Sequence, residues 1–336
     1  MLLRDLGERA ITEGILPSIC PAVGDDCGYF SLGSSDLVIT TDPVPPPAAM
    51  VLGGDPDPYW AGRLLVTINA SDLAAAGAEA LMFVAALECP ADMELKDLTR
   101  ILEGVRDGCE QAGLTYCGGN LKEARSFAAT GTAVGRVPTG KRLHRKGAAS
   151  GDLLFSVGTG GEFWRDVFRW RAGERFPKES SKLFAPGSQI RPMRILNELV
   201  RISSAMDNSD GLLATLDQLA RVNRCEILLD LDKLSVPGTN ASAVDQARLW
   251  LGWGDWNVII AIPQNELENL RRTATDNDIP LFEIGRFAQG PAGLKLVHGG
   301  TLFQAPRLES ERFSADSWFS EGIEGYISRL TSLEIM

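Results

Sequence analysis

The sequence predicts a mixed α/β protein with two domains. Strand-like runs alternate with helical patterns along most of the chain, which is typical of α/β folds. With 336 residues the chain is longer than one compact core usually requires. Its composition, 44% hydrophobic and 23% charged residues, is that of a folded globular protein. We expect a first domain over residues 1–138 and a second over 139–336, divided at the turn Pro138–Gly140.

The first half of the chain is predicted to open on a short amphipathic helix over residues 2–15, where apolar side chains recur at helical spacing. The segment from Pro43 to Pro58 is rich in proline and glycine, which favours an irregular loop over a site. The other elements expected in this half are a strand over 37–41, a helix over 60–78, a strand over 81–88, a helix over about 95–113, and strands near 114–117 and 127–137.

The second half shows a second mixed pattern. Short apolar runs predict strands, and longer periodic segments predict helices. We expect strands over 153–157, 226–230, 257–262 and 281–287, and helices around 162–171, 192–203, after Asp210 and near 264–275. From about residue 297 onward the chain is expected to be irregular, apart from a short helix near 322–330.

Charge and cysteine usage exclude several classes of protein. The net charge is −11 and the sequence has no basic cluster, so nucleic acid is not an expected partner. The six cysteines lack CxxC spacing and there are two histidines, which argues against a zinc site or a disulfide framework. Reduced thiols favour a cytoplasmic location. No stretch is typical of a signal peptide or a membrane span, so no membrane partner is expected.

Aspartates recur directly after a strand or close to a helix, as in Thr-Asp at 41–42, Ser-Asp at 71–72 and Ser-Asp at 209–210. Oxygen ligands from separate elements can converge on a hard cation, and Mg²⁺ prefers about six oxygens, several of them from water. Asp72 lies among small apolar residues, where a buried charge without a partner is costly. The alternative to a metal site is a structural role for these aspartates. They could be polar residues that end a strand or, in the case of Asp72, a buried helix cap.

Other segments offer candidate ligands for a metal or a phosphate. The turn Gly24–Asp26 contains two carboxylates, although a plain surface turn has the same pattern. At Gly118–Asn120 two glycines leave room for a phosphate beside the backbone, and such pairs also occur in ordinary turns. Arg145 offers a guanidinium for phosphate oxygens, unless it is a solvated loop residue. Asp207–Leu212 combines two carboxylates with a hydroxyl, and helix capping is the alternative there.

Taken in order, these motifs resemble thiamine-monophosphate kinase, a family within the larger superfamily of aminoimidazole ribonucleotide synthetase (PurM-like). The resemblance runs from about residue 20 to residue 262, and its strongest parts are residues 23–26, 40–42, 69–75 and 207–212. It implies two α/β domains with ATP between them. It also implies a homodimer, in which the N-terminal sheets of two subunits join in a barrel and the C-terminal domain is an α/β sandwich.

The resemblance further implies ATP and Mg²⁺ as cofactors, and a small-molecule acceptor. The positions that match magnesium ligands are Asp26, Thr40, Thr41, Asp42, Asp72, Asp207 and Asp210. The positions that match the ATP site are Gly118, Gly119, Asn120, Arg145 and Ser209. Asp42 and Asp210 are the expected catalytic residues. Metal ions that bridge a triphosphate neutralise charge on the transferred group, so no covalent intermediate is required.

The sequence also departs from the family. Asn120 stands where the kinase has a metal-binding aspartate. The His-Phe pair of the kinase is replaced by residues 45–50, and its Gly-Gly-Glu-Asp-Tyr-Glu segment corresponds to Gly252–Asn257, without the glutamate that holds substrate. We therefore expect an acceptor other than thiamine phosphate. The candidate substrate residues are Trp253, Asp255 and Trp256, with a core role as the alternative for the tryptophans, and Trp318 matches a substrate-stacking tryptophan.

The leading expectation is thus an ATP-dependent small-molecule kinase. One alternative is an ATP-dependent synthetase that activates an amide or carboxyl oxygen for carbon–nitrogen bond formation, because Gly118–Asn120 resembles a segment of formylglycinamidine ribonucleotide synthetases. Another alternative is a nucleotide-binding protein without catalysis, suggested by Asn120 and by the lost substrate residues.

Overall fold

A computed structural model describes residues 2–20, 24–306 and 318–335. In these residues the chain forms two β-sheets and the helices that cover them. The strands are β1 Gly28–Leu32, β2 Ser35–Pro43, β3 Glu79–Cys89, β4 Thr115–Glu123, β5 Ala128–Pro138, β6 Leu153–Val157, β7 Ser204–Asp207, β8 Glu226–Asp230, β9 Val258–Ile262, β10 Leu281–Ala288, β11 Gly293–His298 and β12 Thr301–Gln304. The α-helices are α1 Gly7–Ala10, α2 Leu16–Ile19, α3 Ala48–Val51, α4 Tyr59–Ala75, α5 Leu95–Ala112, α6 Glu162–Arg171, α7 Ile190–Leu199, α8 Leu212–Asn223, α9 Ala243–Leu251, α10 Leu267–Asp276 and α11 Trp318–Ser332.

The first sheet has the strand order β1-β2-β5-β3-β4. Its pairs are antiparallel, except for the parallel pair β3–β4. Side chains alternate along each strand, so Val38 and Ala133 are buried beneath the helices while Ile39 is exposed on the opposite face. Helix α4 packs along the buried face and α5 packs against α4. The other face of this sheet is therefore left open.

Helix α4 is buried on nearly all sides, and its small residues make this possible. A Cβ at Gly62 would lie 2.0 Å from the carbonyl oxygen of Ile101, and one at Gly104 would lie 2.1 Å from that of Tyr59. The backbones of α4 and α5 are thus in direct contact. The helix ends at Ala75, short of the predicted residue 78, because Gly77 adopts a φ of 68° that turns the chain.

The second sheet has the strand order β12-β11-β8-β10-β6-β9-β7. Its pairs are antiparallel apart from β11–β8. All residues of β7 and β9 are buried, which explains why β9 reads as a continuous apolar run. Helix α4 packs against both of these strands, and α7 packs against α4. The last residue of β7, Asp207, consequently reaches the junction between the two sheets.

One apolar core runs through that junction. It contains Val38 of β2 and Leu65 of α4 together with Leu196 of α7 and Ile260 of β9. Helix α4 therefore packs against both sheets and brings its last turn to the end of β7. The predicted domain boundary lies after β5 ends at Pro138, and it stays a prediction.

The mixed α/β class is confirmed, but some local expectations are wrong. The Pro43–Pro58 segment is not a loop throughout, because α3 begins directly after Pro47, a position where proline sacrifices no helical hydrogen bond. The irregular region expected from about residue 297 contains β12, a short and mostly exposed edge strand that follows a glycine turn. No helix in the described part of the chain is long and apolar enough to span a membrane.

Candidate active site

Three aspartates from separate parts of the chain converge at the junction of the two sheets. Asp26 lies in the turn before β1, Asp72 in the last turn of α4 and Asp207 at the end of β7. Each offers a carboxylate oxygen, and these oxygens all lie within 4.8 Å of one another. Such a spacing is short enough for one cation to contact all of them. These residues are called the carboxylate cluster below.

The electrostatics of the cluster favour a cation. Burial raises the pKa of Asp72 well above its ordinary value, and the charges of Asp207 and Asp26 raise it further. Burial likewise raises the pKa of Asp207, with a further contribution from Asp26. Burial alone lowers the pKa of Arg145, but the charge of Asp26 and its hydrogen bond reverse this and raise it. One guanidinium cannot balance all these carboxylates, so a divalent cation fits the donor set.

Short hydrogen bonds fix the buried carboxylates of the cluster. The hydroxyl of Thr40 on β2 donates to Asp72 Oδ2 over 2.5 Å. The hydroxyl of Ser71 donates to Asp207 Oδ2 over 3.2 Å. Each bond joins two different elements, so the relative positions of β2, α4 and β7 are set at the cluster itself.

The threonines of β2 point to opposite faces of the sheet, as alternation along a strand requires. Thr40 faces the cluster, whereas the hydroxyl of Thr41 donates to the Gly131 carbonyl over 2.9 Å and lies 3.0 Å from the Thr132 hydroxyl. Next along β2, the Asp42 amide donates to the Asn69 side chain over 3.1 Å. The structure thus brings Thr40 to the cluster but not the Thr41 hydroxyl.

The segment between β7 and α8 supplies the remaining predicted acidic residue. Helix α8 begins at Leu212, and its N-cap is Gly211, a residue that has no side chain to cap the helix. The alternative that Ser209 or Asp210 is present as a helix cap is therefore wrong. Both residues instead line the same cavity as the cluster, and Asp210 is exposed to it.

A cavity of about 820 Å³ opens beside the carboxylate cluster. Among its described lining residues, Arg145 is the only cationic side chain. The lining also includes five aromatic side chains, those of Trp60, Phe163, Phe184, Trp253 and Trp256. The cavity can therefore hold a metal-bound anion at the carboxylates and an apolar ring against the aromatic side chains.

The predicted substrate residues divide into two groups. Trp253 and Trp256 line the cavity, and Trp256 adopts a φ of 55°, a conformation that is strained for a bulky residue. Asp255 does not line it. Its Oδ2 accepts the Gly161 amide over 2.6 Å and its Oδ1 accepts the Phe163 amide over 2.9 Å, so Asp255 anchors the start of α6. The side chain of Trp318 lies outside the described residues.

The structure does not bring Gly118, Gly119 and Asn120 to the cavity of their own chain. They lie on β4, and β5 and β3 separate β4 from β2. At the usual strand spacing of about 4.8 Å this is a distance of roughly 14 Å. A Cβ at Gly119 would lie 1.8 Å from the Ala85 carbonyl oxygen, so close strand packing alone requires glycine there.

Several residues of the site were not identified from the sequence. His144 bonds to Asp25 beside the cluster, and Cys27 is buried next to it. Burial raises the pKa of the Cys27 thiol well above its ordinary value, so this cysteine stays protonated. The aromatic residues of α4 and α6 gave no signal beyond ordinary core patterns, because their grouping depends on the packing of distant elements.

Comparison with known proteins finds related chains and a shared fold. The family of AIR synthase related protein, N-terminal domain, matches residues 24–137. A thiamine-monophosphate kinase of Pyrococcus horikoshii is 33% identical over 257 residues, which are 74% of this chain and 80% of the relative. The corresponding kinase of Pyrococcus abyssi is 30% identical over 286 residues, 83% of this chain and 86% of the relative. The solved structure of AaThiL complexed with AMPPCP and TMP has the same fold, with a TM-score of 0.74 at 23% identity over 91% of this chain and 97% of that chain.

Proposed function

Because this chain belongs to the thiamine-monophosphate kinase family and is an ATP-dependent enzyme, we propose that it transfers the terminal phosphoryl group of ATP to the phosphate of thiamine monophosphate in the cavity described above. The observation that carries the proposal is the carboxylate cluster of Asp26, Asp72 and Asp207, which opens to a cavity that is also lined by aromatic side chains.

Magnesium fits the donor set of this site. The residues that would hold it are Asp26, Thr40, Asp42, Asp72, Asp207 and Asp210, all of which line the cavity. Thr41 also lines the cavity, but its hydroxyl is bonded to the Gly131 carbonyl instead. When bound, Mg²⁺ neutralises negative charge on the phosphates during transfer. Without Mg²⁺, buried carboxylates of like charge lie close together and repel each other. A bound cation would reduce this repulsion.

The protein's own residues position the reactants. Arg145 presents a guanidinium at the cluster, where it can bind phosphate oxygens in a bidentate manner. Asp42 and Asp210 flank the cavity as the proposed catalytic residues, and Ser209 is the proposed nucleotide contact next to Asp210. In the reaction an acceptor phosphate oxygen forms a bond to the terminal phosphorus of ATP while the bond to ADP breaks. Positioning and charge neutralisation suffice for such a transfer.

The sequence led to the expectation of an acceptor other than thiamine phosphate, and the relatives do not support that expectation. Their names make thiamine monophosphate the first candidate. The relatives also do not favour a synthetase or a protein without catalysis.

One observation favours a second candidate, a phosphate monoester with a different apolar group. A Cβ at Gly254 would lie 2.5 Å from the Phe163 ring. The Phe163 ring therefore occupies the direction in which a side chain at position 254 would point, and an aromatic surface replaces the glutamate of the family. An acceptor with fewer polar groups than thiamine would fit that surface better.

We also propose that the enzyme is a homodimer that pairs through the open face of the first sheet. Ile39, Val134 and Met82 form a row across β2, β5 and β3 on that face. Exposed apolar side chains extend the face, with Phe30 63%, Ile39 42% and Met82 37% exposed. Asn120 pairs with Ala86, an exposed residue of the same face. A second copy stacked there would present its own Gly118–Asn120 segment to the first copy, which accounts for residues that reach no site in one chain.

Product analysis tests the proposed function. Purified protein is incubated with ATP, Mg²⁺ and thiamine monophosphate, and phosphorus NMR follows the reaction. The proposal predicts a new diphosphate and stoichiometric ADP. Turnover of another phosphate monoester but not of thiamine monophosphate would support the second candidate, and Trp256→Ala should then raise the KM of that acceptor more than the KM of ATP. No turnover with any phosphate monoester would contradict the proposed function.

A further inference from the structure

A short connecting segment, residues 142–148, joins the two halves of the site. It follows the first sheet in the chain and precedes the second. Towards the first sheet, Arg142 pairs with the buried Asp36 over 2.7 Å, and the Leu143 carbonyl accepts the Tyr29 hydroxyl over 2.7 Å. Towards the second, the Gly147 amide donates to the Asn223 side chain of α8 over 2.7 Å. The segment is therefore bonded to both halves within a few residues.

Within this segment, His144 itself contacts both halves of the site. Its Nδ1 lies 2.7 Å from Asp25 Oδ2, and an ionised carboxylate can only accept, so Nδ1 donates. Its main-chain carbonyl accepts the amide of Ala205 on β7 over 2.9 Å. Asp25 directly precedes Asp26, and Ala205 lies two residues before Asp207. One residue thus links the turn that carries Asp26 to the strand that carries Asp207.

The neighbouring Arg145 repeats the link. Its amide donates to Asp25 Oδ1 over 2.9 Å, so both oxygens of Asp25 are bonded to the connecting segment. Its guanidinium lies 2.5 Å from Asp26 Oδ1. Its carbonyl accepts the Ser204 hydroxyl of β7 over 2.9 Å. Asp25 is consequently the point on the metal-binding turn to which the segment attaches, and its carboxylate holds no place in the cluster itself.

From this geometry we propose that His144, acting through Asp25, is a positioning residue that sets the spacing of Asp26 and Asp207. The inference rests on the proposed function, in which those two aspartates hold Mg²⁺. Among the described residues, loss of the imidazole leaves the Asp25 carboxylate bonded to the Arg145 amide, and the turn at residues 24–26 then has more freedom to move away from β7. Ligand-orienting partners of this kind typically contribute about 10- to 100-fold to metal affinity.

The side chain of His144 contributes little to the hydrophobic core, because 42% of it is exposed. Its ring contact is with Tyr29, at 5.4 Å between centroids. A variant at this position should therefore fold, and its effect should be local to the metal site. A local effect on the metal site in a folded variant would distinguish a positioning role from a general structural one.

The test compares His144→Leu with His144→Asn. Leucine removes the donor, whereas the amide nitrogen of asparagine occupies nearly the same position as Nδ1 and can still donate to Asp25. The matched control is His298→Leu, because the second histidine of the chain also pairs with an aspartate, Asp232, over 2.6 Å, but at the surface of the second sheet. Mg²⁺ binding is measured by calorimetry in the presence of a non-hydrolysable ATP analogue, so the readout does not depend on the acceptor.

We expect the Mg²⁺ dissociation constant to rise about 10- to 100-fold in His144→Leu, to recover to within about threefold of wild type in His144→Asn, and to be unchanged in His298→Leu. Equal Mg²⁺ affinity in wild type and His144→Leu would overturn this inference while leaving the proposed function intact. So would a loss of thermal stability in His144→Leu with unchanged Mg²⁺ affinity of the folded protein. Absence of Mg²⁺ and nucleotide binding in wild type would instead contradict the proposed function.

Discussion

Asp72 and Asp207 present buried carboxylate oxygens within 4.8 Å of each other, one from the end of a helix packed on the first sheet and one from the end of a strand in the second. Two such groups without a cation repel each other and are poorly solvated. These carboxylates therefore destabilise the folded protein when no cation is bound. Several consequences can be measured.

Asp72→Asn should reduce ATP turnover by at least about 100-fold, because a ligand of the charge-neutralising cation is lost. Thermal stability without Mg²⁺ should be unchanged or higher, since one buried like charge is removed. Asp92→Asn, at an exposed loop position, is the control and should retain wild-type activity. Full activity in Asp72→Asn would remove this residue from the metal site.

Stability without metal should fall as the pH rises. Burial raises the folded-state pKa of Asp72 and Asp207 above the ordinary value of about 3.9. The folded state then keeps protons that the unfolded state releases, so the stabilisation is complete below about pH 4 and is lost as the pH rises through the folded pKa. Mg²⁺ should oppose this loss and stabilise the protein more at high pH.

Thermal unfolding from pH 5 to pH 8, with EDTA and with Mg²⁺, checks this pH dependence. The gap between the two melting temperatures should widen with pH in wild type. In Asp72→Asn the decline under EDTA should be shallower. A gap that narrows with rising pH would contradict the assignment of buried, metal-binding carboxylates.

Asp255→Asn should destabilise the fold without a specific effect on substrate. One of the amides of Gly161 and Phe163 loses its acceptor, which costs about 1–3 kcal/mol of unfolding free energy. Urea denaturation measures this loss, and steady-state kinetics of the folded enzyme should show an unchanged KM for the acceptor. Unchanged stability together with a raised acceptor KM would restore the substrate role expected from the sequence.

Met82→Lys should dissociate the proposed homodimer, because it places a charge in the apolar row on the open face of the first sheet. Light scattering should report a monomer, and activity should fall and become concentration-dependent as the Asn120 segment of the second copy is lost. Glu268→Lys introduces the same side chain at an exposed position of α10, away from the first sheet, and serves as the control. A monomeric wild type with full activity would contradict the proposed dimer.

The sequence predicted most central elements because their patterns are strong. The strands over 153–157 and 226–230 and the helix over 162–171 have the predicted bounds, since each combines a clear apolar period with flanking turn residues. The strands β1, β7, β11 and β12 were missed. Strand β7 is very short and buried, and β12 is exposed at an edge, so neither has an alternating pattern to detect.

For the candidate site, some residues were predicted correctly and others were not. Asp26, Asp72 and Asp207 were singled out by their order along the chain, and their convergence depends on α4, a helix that packs against both sheets. Asp210 and Asp255 both follow a small residue near an element end, yet one lines the cavity and the other anchors α6. Which carboxylate faces the cavity is decided by tertiary hydrogen bonds that the local sequence does not encode.

The measurement that tests the central claim most directly is calorimetry of a non-hydrolysable ATP analogue binding to wild type, with Mg²⁺ and with EDTA. If the carboxylate cluster holds the nucleotide through its metal, binding should be seen with Mg²⁺ and should be at least about tenfold weaker with EDTA or in Asp207→Asn. Equal binding under all three conditions, or no binding at millimolar nucleotide, would contradict the account.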